Sequence, residues 1–200
     1  MKRISKNFFY TVYVKENDRV FKKENSDFHK LVCHIFGNRK GLPYIRASLA
    51  RSKILAKNVP DQNIIAHPQF LDNYDYEQDK VVIIADYFAE HTIEENKKII
   101  DFYIEHLYAT WTYGFSDIIF NFSHNCGIDN EGRIVLVDFN EITFSKETIR
   151  DLVRHKRWLR NWTYGYLKRH KDVRVYFETQ MEKLVTLSKI DEFWQDGSYE

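Results

Sequence analysis

The stretch that decides the fold is residues 125–140, which read NCGIDNEGRIVLVDFN. Two apolar segments, 125–128 and 134–137, flank the turn cluster Asp-Asn-Glu-Gly, a pattern that predicts a tight antiparallel hairpin. Asn125 opens this hairpin and Asp138 closes it. Both side chains carry oxygen atoms, the hard ligands that Mg²⁺ prefers in proteins. The alternative left open is that the two residues simply begin and end strands.

The residues before this hairpin predict alternating strands and helices. Residues 8–21 alternate as a β-hairpin, and residues 27–36 and 44–56 have helical apolar spacing. A strand is predicted at 68–71, then a polar turn, then a buried strand over Val-Val-Ile-Ile-Ala at 81–85. Thr92 and Glu95 form a capping box, and helical periodicity follows as far as Gly114.

Residues 150–174 are rich in lysine and arginine, interleaved with tryptophan, tyrosine and leucine. This pattern predicts a basic amphipathic helix or helix pair, which could dock a protein partner or an anionic surface. The acidic residues that balance the charge lie elsewhere, so we expect this face to be locally positive. The alternative is a solvated outer face whose tryptophan and leucine side chains close the core.

Overall charge and hydropathy exclude some classes of function. The chain has 30 basic and 29 acidic side chains, and the resulting net charge of +1 gives no general attraction for nucleic acid. No apolar run reaches the roughly 18 residues that a membrane span needs. We therefore expect a cytoplasmic protein with no membrane span, for which nucleic acid is not the favoured partner.

The order of these elements and the 125–140 motif resemble the protein-kinase-like superfamily over roughly residues 4–145. A closer resemblance is to the small bacterial kinase-like proteins of the PhoP regulatory network, the YrbL group. The features that resemble this group are the size of the chain, the stretch Ile-Ala-Asp-x-Phe at 84–88 and the basic tail. The resemblance implies an α+β fold with a small antiparallel sheet lobe at residues 1–88 and a reduced helical lobe at residues 89–200.

The same resemblance implies a site for ATP and Mg²⁺ in one cleft between the lobes. Asn125 and Asp138 would hold the metal, and Lys22 would reach the α- and β-phosphates. Lys22 is preferred to Lys23 because strand alternation places Val20 on its face, where Val20 would pack on adenine. A solvated surface lysine remains the alternative. The residues that would contact adenine from the hinge are Ala85, Asp86 and Phe88.

Three departures from the kinase pattern point to weakened catalysis. Phe120 stands where the proton-accepting aspartate is expected, five residues before Asn125. The three glycine positions of the phosphate loop hold Ser5, Asn7 and Tyr10. No acidic residue occurs between Asp27 and Asp61 to brace Lys22. The catalytic residue is therefore unassigned, and the candidates for a relocated base are Asp117, His124 and Glu141.

These departures favour a regulatory pseudokinase that binds nucleotide weakly and acts through partners. The first alternative is an active ATP-dependent phosphotransferase with a relocated base. The second is a protein unrelated to kinases that binds a partner or nucleic acid through its basic tail.

Overall fold

The structure is a computed structural model of the chain, and it describes residues 1–6, 9–26, 42–59, 63–71, 73–138, 140–160, 167 and 170–197. The chain separates into two compact units, Met1–Lys80 and Val81–Glu200. The predicted cleft and the lobe limits at 1–88 and 89–200 stay predictions. Antiparallel strands and helices together confirm the α+β class.

The first unit contains a five-stranded antiparallel sheet in the order β1-β2-β3-β5-β4. Its strands are β1 (Lys2–Lys6), β2 (Tyr10–Val14), β3 (Arg19–Glu24), β4 (Gln69–Phe70) and β5 (Tyr76–Asp79). The predicted N-terminal hairpin is β2 paired with β3, in a register that places Val12 opposite Lys22 and Val14 opposite Val20. The chain turns at Asp18, whose φ of 52° is the left-handed conformation that a tight turn requires.

One face of this sheet is buried. Its central side chains alternate along three neighbouring strands, as expected for a half-buried sheet; they are Tyr10, Val12, Val20, Lys22, Tyr76 and Gln78. Helix α1 (Leu42–Asn58) contacts β4 and buries Leu49 and Leu55. The predicted helix at 44–56 is thereby confirmed, whereas the one predicted at 27–36 lies outside the described residues.

The chain on either side of the boundary between the two units corrects two predictions. The polar turn predicted before residue 81 contains β5, which lies between β3 and β4 in the sheet. The strand predicted at 81–85 is only β6 (Val82–Ile83), because helix α2 (Ile84–Glu90) begins immediately after it. A short apolar run fits a buried helix as well as a buried strand, and here it contributes to both.

The second unit is mainly helical. Its remaining helices are α3 (Ile93–Thr112), α4 (Phe122–Asn125), α5 (Lys146–Arg154), α6 (Lys171–Leu184) and α7 (Leu187–Phe193), with a 3₁₀ turn at Arg157–Arg160. Its remaining strands are β7 (Ser116–Asp117), β8 (Cys126–Ile128), β9 (Ile134–Leu136) and β10 (Ile142–Thr143). The strands form a three-stranded sheet, β6-β8-β9, and the pair β7-β10.

Helix α3 organises the core of this unit and confirms the strongest helix prediction. Thr92 and Glu95 form the predicted capping box, with the Glu95 N–H donating to the Thr92 hydroxyl. The helix buries Ile100, Leu107 and Trp111, and it contacts α6 and α7. None of the helices that the structure describes is long and apolar enough to span a bilayer.

The described part of the basic segment 150–174 includes the end of α5, the 3₁₀ turn and the start of α6, and residues 161–166, 168 and 169 lie outside it. Arg150 donates to Asp191 at 2.6 Å, and Lys156 donates to Glu182 at 2.7 Å. The Nε atom of Arg174 lies 3.7 Å from Oε1 of Glu178. Acidic neighbours brought close by the fold therefore offset part of the charge of the described residues, and the locally positive face stays a prediction.

Gly114 ends α3 where residues 194–197 pass against it, and we expect Gly114→Ala to lower the free energy of unfolding by about 2–3 kcal/mol. Its φ is +68°, and a Cβ there would lie 2.5 Å from the Gln195 carbonyl oxygen and 2.6 Å from the Gly197 nitrogen. The matched control is Gly132→Ala. Gly132 has φ +80° but no atom within 4 Å of the added carbon.

Urea denaturation of both variants measures the difference. The control should lose only about 1 kcal/mol, the backbone penalty for a residue with a side chain in this conformation. Equal losses in the two variants would mean that residues 194–197 move aside without a penalty.

Candidate functional site

The 125–140 hairpin holds Asn125 and Asp138 next to each other. Strand β8 pairs with β9, with Cys126 opposite Leu136 and Ile128 opposite Ile134. The Asn125 carbonyl oxygen accepts hydrogen bonds from the Val137 N–H at 2.8 Å and the Asp138 N–H at 3.2 Å. The predicted hairpin is confirmed, and the backbone fixes the separation of the two predicted metal ligands.

Two local features keep this hairpin in place. At its turn, Asp129 accepts from the Glu131 and Arg133 backbone N–H groups, each at 2.9 Å. In β8, the central strand of its sheet, a Cβ on Gly127 would lie 2.2 Å from a Val81 methyl carbon and 3.0 Å from the Val82 carbonyl oxygen. Only glycine lets β8 approach β6 this closely, so the chain just before α2 is fixed against the hairpin.

Asn140 holds the Asp138 side chain. Its Nδ2 donates to Asp138 Oδ1 at 2.5 Å, and Asn140 is only 1% exposed. Asp138 itself is half-buried. Sequence reasoning missed Asn140, although its position two residues after Asp138 is the spacing of a local side-chain contact.

A buried polar cluster lies in the loop before Asn125 and consists of Asp117, Asn121 and Asn125. Asp117 Oδ1 accepts from the Ile119 N–H at 2.8 Å, and Oδ2 accepts from the Asn121 N–H and from Asn125 Nδ2, both at 3.2 Å. Asn121 Nδ2 donates to Asn125 Oδ1 at a longer 3.4 Å. The Asn125 side chain therefore points into the loop.

The electrostatics of this cluster follow from its burial. Asp117 lies in β7 opposite Ile142 of β10 and is 6% exposed. Burial raises the pKa of Asp117 to about 7, the Glu141 carboxylate adds to the rise, and the loop donors oppose it. Sequence reasoning proposed Asp117 only as a relocated base and missed its two asparagine partners. The signal available was the spacing of four residues between the members of the cluster.

Phe120 is a core residue and not a solvent-facing loop residue. It is fully buried, and its ring packs edge-on against Trp158 with centroids 5.9 Å apart. Its φ is +51°, a strained conformation for a bulky side chain. The position where kinases have the base is therefore filled by a buried aromatic ring, which cannot accept a proton from a substrate.

His124, the second candidate base, lies beside α2. Its Nδ1 is 2.8 Å from the Ser123 hydroxyl oxygen, and the residue is exposed. Partial burial of the ring lowers the pKa of His124, and the nearby Asp86 carboxylate opposes this. His124 and Asp86 thus lie close together, although nothing in these contacts directs the imidazole toward Asn125.

The predicted adenine-contacting residues Ala85, Asp86 and Phe88 all lie in α2. Phe88 is buried against the Phe122 ring, 6.0 Å between centroids, and its carbonyl oxygen accepts from Asn96 Nδ2. Carbonyl groups inside a helix are used by the helix itself, which limits what this segment can offer a base edge. The adenine role stays a prediction.

Lys22 and Val20 share the buried face of the sheet in the first unit. Lys22 is 7% exposed and lies between Val12 and Tyr76 of the flanking strands. Its Nζ is 5.3 Å from the centroid of the Tyr76 ring, a cation–π contact. Lys22 is therefore not the solvated surface lysine that the sequence left open, whereas Lys23 is exposed.

The donors at Asn125 and Asp138 fit Mg²⁺ better than a transition metal. Among the described residues, no three His, Cys, Asp or Glu side chains come together as a metal cluster. One carboxylate and one amide are too few for a zinc site, which takes three or four protein ligands. They suffice for Mg²⁺, which keeps waters and takes further oxygens from phosphates.

No protein-family model matches the chain, and no curated protein matches it. One solved structure to which the chain is similar is that of Rv3197 with erythromycin, from Mycobacterium tuberculosis. The match has 14% sequence identity and a TM-score of 0.45, and it covers 84% of this chain. The chain spans about half, 53%, of that protein's length.

Proposed function

We propose that this protein is a kinase-like, cytoplasmic regulatory protein that binds ATP and Mg²⁺ weakly and transfers phosphoryl groups slowly or not at all. The observation that carries the proposal is the Asn125–Asp138 hairpin with Phe120 buried five residues before it. A pair of metal-binding oxygens is kept at fixed separation while the proton acceptor is absent.

In this proposal Asn125 and Asp138 hold the metal, and Asn140 orients the Asp138 carboxylate. A bound Mg²⁺ would neutralise phosphate charge and position the nucleotide. Asp138 supplies the negative charge of the pair, because Asn125 contributes only a neutral oxygen. The metal should therefore depend mainly on Asp138.

Slow turnover follows from the residues around the missing base. General-base assistance accounts for about 10²–10⁴-fold of a typical enzymatic rate. Phe120 supplies none of it, and Asp117 has both oxygens occupied by three donors of its own loop. Binding can thus persist where fast chemistry does not.

The nucleotide contacts assigned to the first unit rest on the resemblance. Lys22 would reach the phosphates and Val20 would pack on adenine. Helix α1 contains no acidic residue, so no carboxylate from it can brace the Lys22 ammonium. An unbraced lysine loses more side-chain entropy on binding, up to about 2 kcal/mol, and its contribution should be reduced accordingly.

One observation favours the alternative of an active phosphotransferase. Burial raises the pKa of Asp117 to about 7, the range in which a carboxylate makes an effective general base. ATP turnover near 1–100 s⁻¹, the rough range of kinases, that Asp138→Ala abolishes would support this alternative.

A partner bound at residues 150–174 is a further part of the regulatory proposal.

The test is a thermal-shift titration with ATP, with and without Mg²⁺. At an ATP concentration ten times its dissociation constant, we expect stabilisation of about 1.4 kcal/mol, or roughly 3–6 °C. Asp138→Asn should remove the part of the shift that needs Mg²⁺, because only the neutral oxygen of Asn125 remains. Lys22→Ala should only weaken it.

Glu131→Gln is the matched control, since it removes one exposed negative charge from the same hairpin and should leave the shift unchanged. If Lys22→Ala abolishes the shift and Asp138→Asn preserves it, the metal assignment is wrong. If the wild-type protein shows no shift at all, the nucleotide proposal fails.

A further inference from the structure

We infer that Asp117 is a positioning residue, whose carboxylate orients the Asn125 amide so that Oδ1 is the atom presented to Mg²⁺. The inference rests on the proposed function, because it assigns a role to Asp117 at the same metal site. It replaces the role of relocated base with one that needs no proton transfer.

The first step is that the Asn125 amide cannot choose its orientation from solvent. The residue is 6% exposed, and its side chain lies within reach of Asp117 and Asn121. An amide has two nearly isosteric orientations that exchange its oxygen and its NH₂ group. Buried neighbours must therefore decide which of the two atoms faces the metal position.

The second step is that only one orientation satisfies Asp117. Both Asp117 oxygens accept hydrogen bonds from backbone N–H groups of the loop, so Asp117 faces Asn125 as an acceptor. Asn125 must turn its NH₂ toward Asp117 Oδ2, where the distance is 3.2 Å, and its oxygen must turn away. The long 3.4 Å bond from Asn121 uses at most one lone pair of Oδ1, so the other remains for a metal.

The third step is that Asp117 cannot follow a rotation of Asn125. The Ile119 and Asn121 N–H groups fix its two oxygens, and β7 is paired to β10. The Asn125 backbone is fixed as well, since its N–H donates to the Asn121 carbonyl oxygen at 2.8 Å. Outer carboxylates that hold a ligand in this way typically change metal affinity by about 10–100-fold.

Asp117→Asn should leave the Asn125 amide without a fixed orientation, because an asparagine at 117 can present either its oxygen or its NH₂ group to Asn125. The double variant Asp117→Asn/Asn125→Asp exchanges the two side chains and keeps the net charge. Its carboxylate at 125 can accept from residue 117 with one oxygen and offer the other to the metal. Both variants lose one loop N–H bond to residue 117, so their comparison isolates the pair with residue 125.

The test uses the full chain and Mn²⁺ as a spectroscopic probe, titrated in the presence of ATP and followed by electron paramagnetic resonance. We expect Asp117→Asn to weaken Mn²⁺ affinity at least about tenfold, and the double variant to recover most of that loss. Folded Asp117→Asn protein with wild-type Mn²⁺ affinity would overturn the inference. If Asp117→Asn does not fold, the double variant decides the matter. A double variant that does not fold, or that folds without recovering Mn²⁺ binding, would also overturn the inference.

NMR of the metal-free wild-type protein separates this inference from the proposed function. The Asn125 side-chain NH₂ should exchange slowly with solvent, because it donates to a buried carboxylate. Exchange at the rate of a solvent-exposed amide would overturn the orientation whatever the metal does. Slow exchange with no Mn²⁺ binding would leave the orientation intact but end both the metal proposal and the role of Asp117 in it.

Discussion

Replacing Phe120 with aspartate is expected to destabilise the second unit by at least about 4 kcal/mol rather than restore a base. The ring is fully buried against Trp158, and removing a buried phenyl group alone costs about 3–5 kcal/mol. A carboxylate placed there would also lose its hydration. The melting temperature should fall by roughly 8–16 °C for a chain of this size.

Phe120→Leu is the matched control, since it keeps an apolar side chain and should cost only about 1–1.5 kcal/mol. Aspartate tolerates the φ of +51° better than phenylalanine does, so the backbone term would favour the aspartate variant. A large loss of stability in Phe120→Asp would therefore be caused by the buried site and not by the backbone conformation. A stable Phe120→Asp protein whose new ATP turnover disappears with Asp138→Ala would show that one substitution reactivates the loop.

His106→Gln is expected to reveal a fall in the free energy of unfolding of about 3 kcal/mol as the pH rises from 4.5 to 6.5. Burial lowers the pKa of His106 from 6.5 to about 4, partly opposed by the hydrogen bond that its ring donates to the Ile134 backbone. The unfolded chain binds this proton and the folded protein does not. Stability from neutral His106 is thus complete above pH 6.5 and is lost toward pH 4.

The contribution of Asp117 to the pH dependence of stability has the opposite sign. Burial raises its pKa from 3.8 to about 7, so the folded protein holds a proton that the unfolded chain releases. Its contribution is complete below pH 3.8 and is lost as the pH rises toward 7. The two slopes, each about 1.4 kcal/mol per pH unit, nearly cancel in the wild-type protein over pH 4.5–6.5.

Urea denaturation at several pH values in metal-free buffer checks this compensation. Glutamine at 106 keeps a donor for the Ile134 carbonyl oxygen but removes the titrating group. Asp117→Asn should give the reverse slope, with stability rising as the pH rises. A wild-type slope that neither substitution changes would mean that other groups control the pH dependence.

The sequence predicted well those elements whose apolar residues repeat clearly. The β2-β3 hairpin follows from alternation, and α3 follows from its capping box and helical period. Strand β5 was missed because Tyr-Glu-Gln-Asp carries a single apolar side chain. Its burial of Tyr76 and Gln78 arises from the strands on either side, which the local sequence does not contain.

The candidate site was predictable only where the backbone defines it. A tight hairpin necessarily brings its two ends together, so the closeness of Asn125 and Asp138 could be read from the turn cluster. The contacts from Asp117 and Asn121 to Asn125 could not. They depend on a strained loop that buries three polar side chains, and the spacing of four residues between these side chains does not by itself predict such a cluster.

Strand β1 has a consequence for how the protein behaves at high concentration. It lies at one edge of its sheet, and all five of its residues are exposed. An open strand edge can pair with the same edge of another copy and so begin aggregation. Lys2, Arg3 and Lys6 place three positive charges along this edge. Like charges on two approaching copies repel, so these side chains should protect the protein from edge-to-edge assembly, a protection that high salt would weaken.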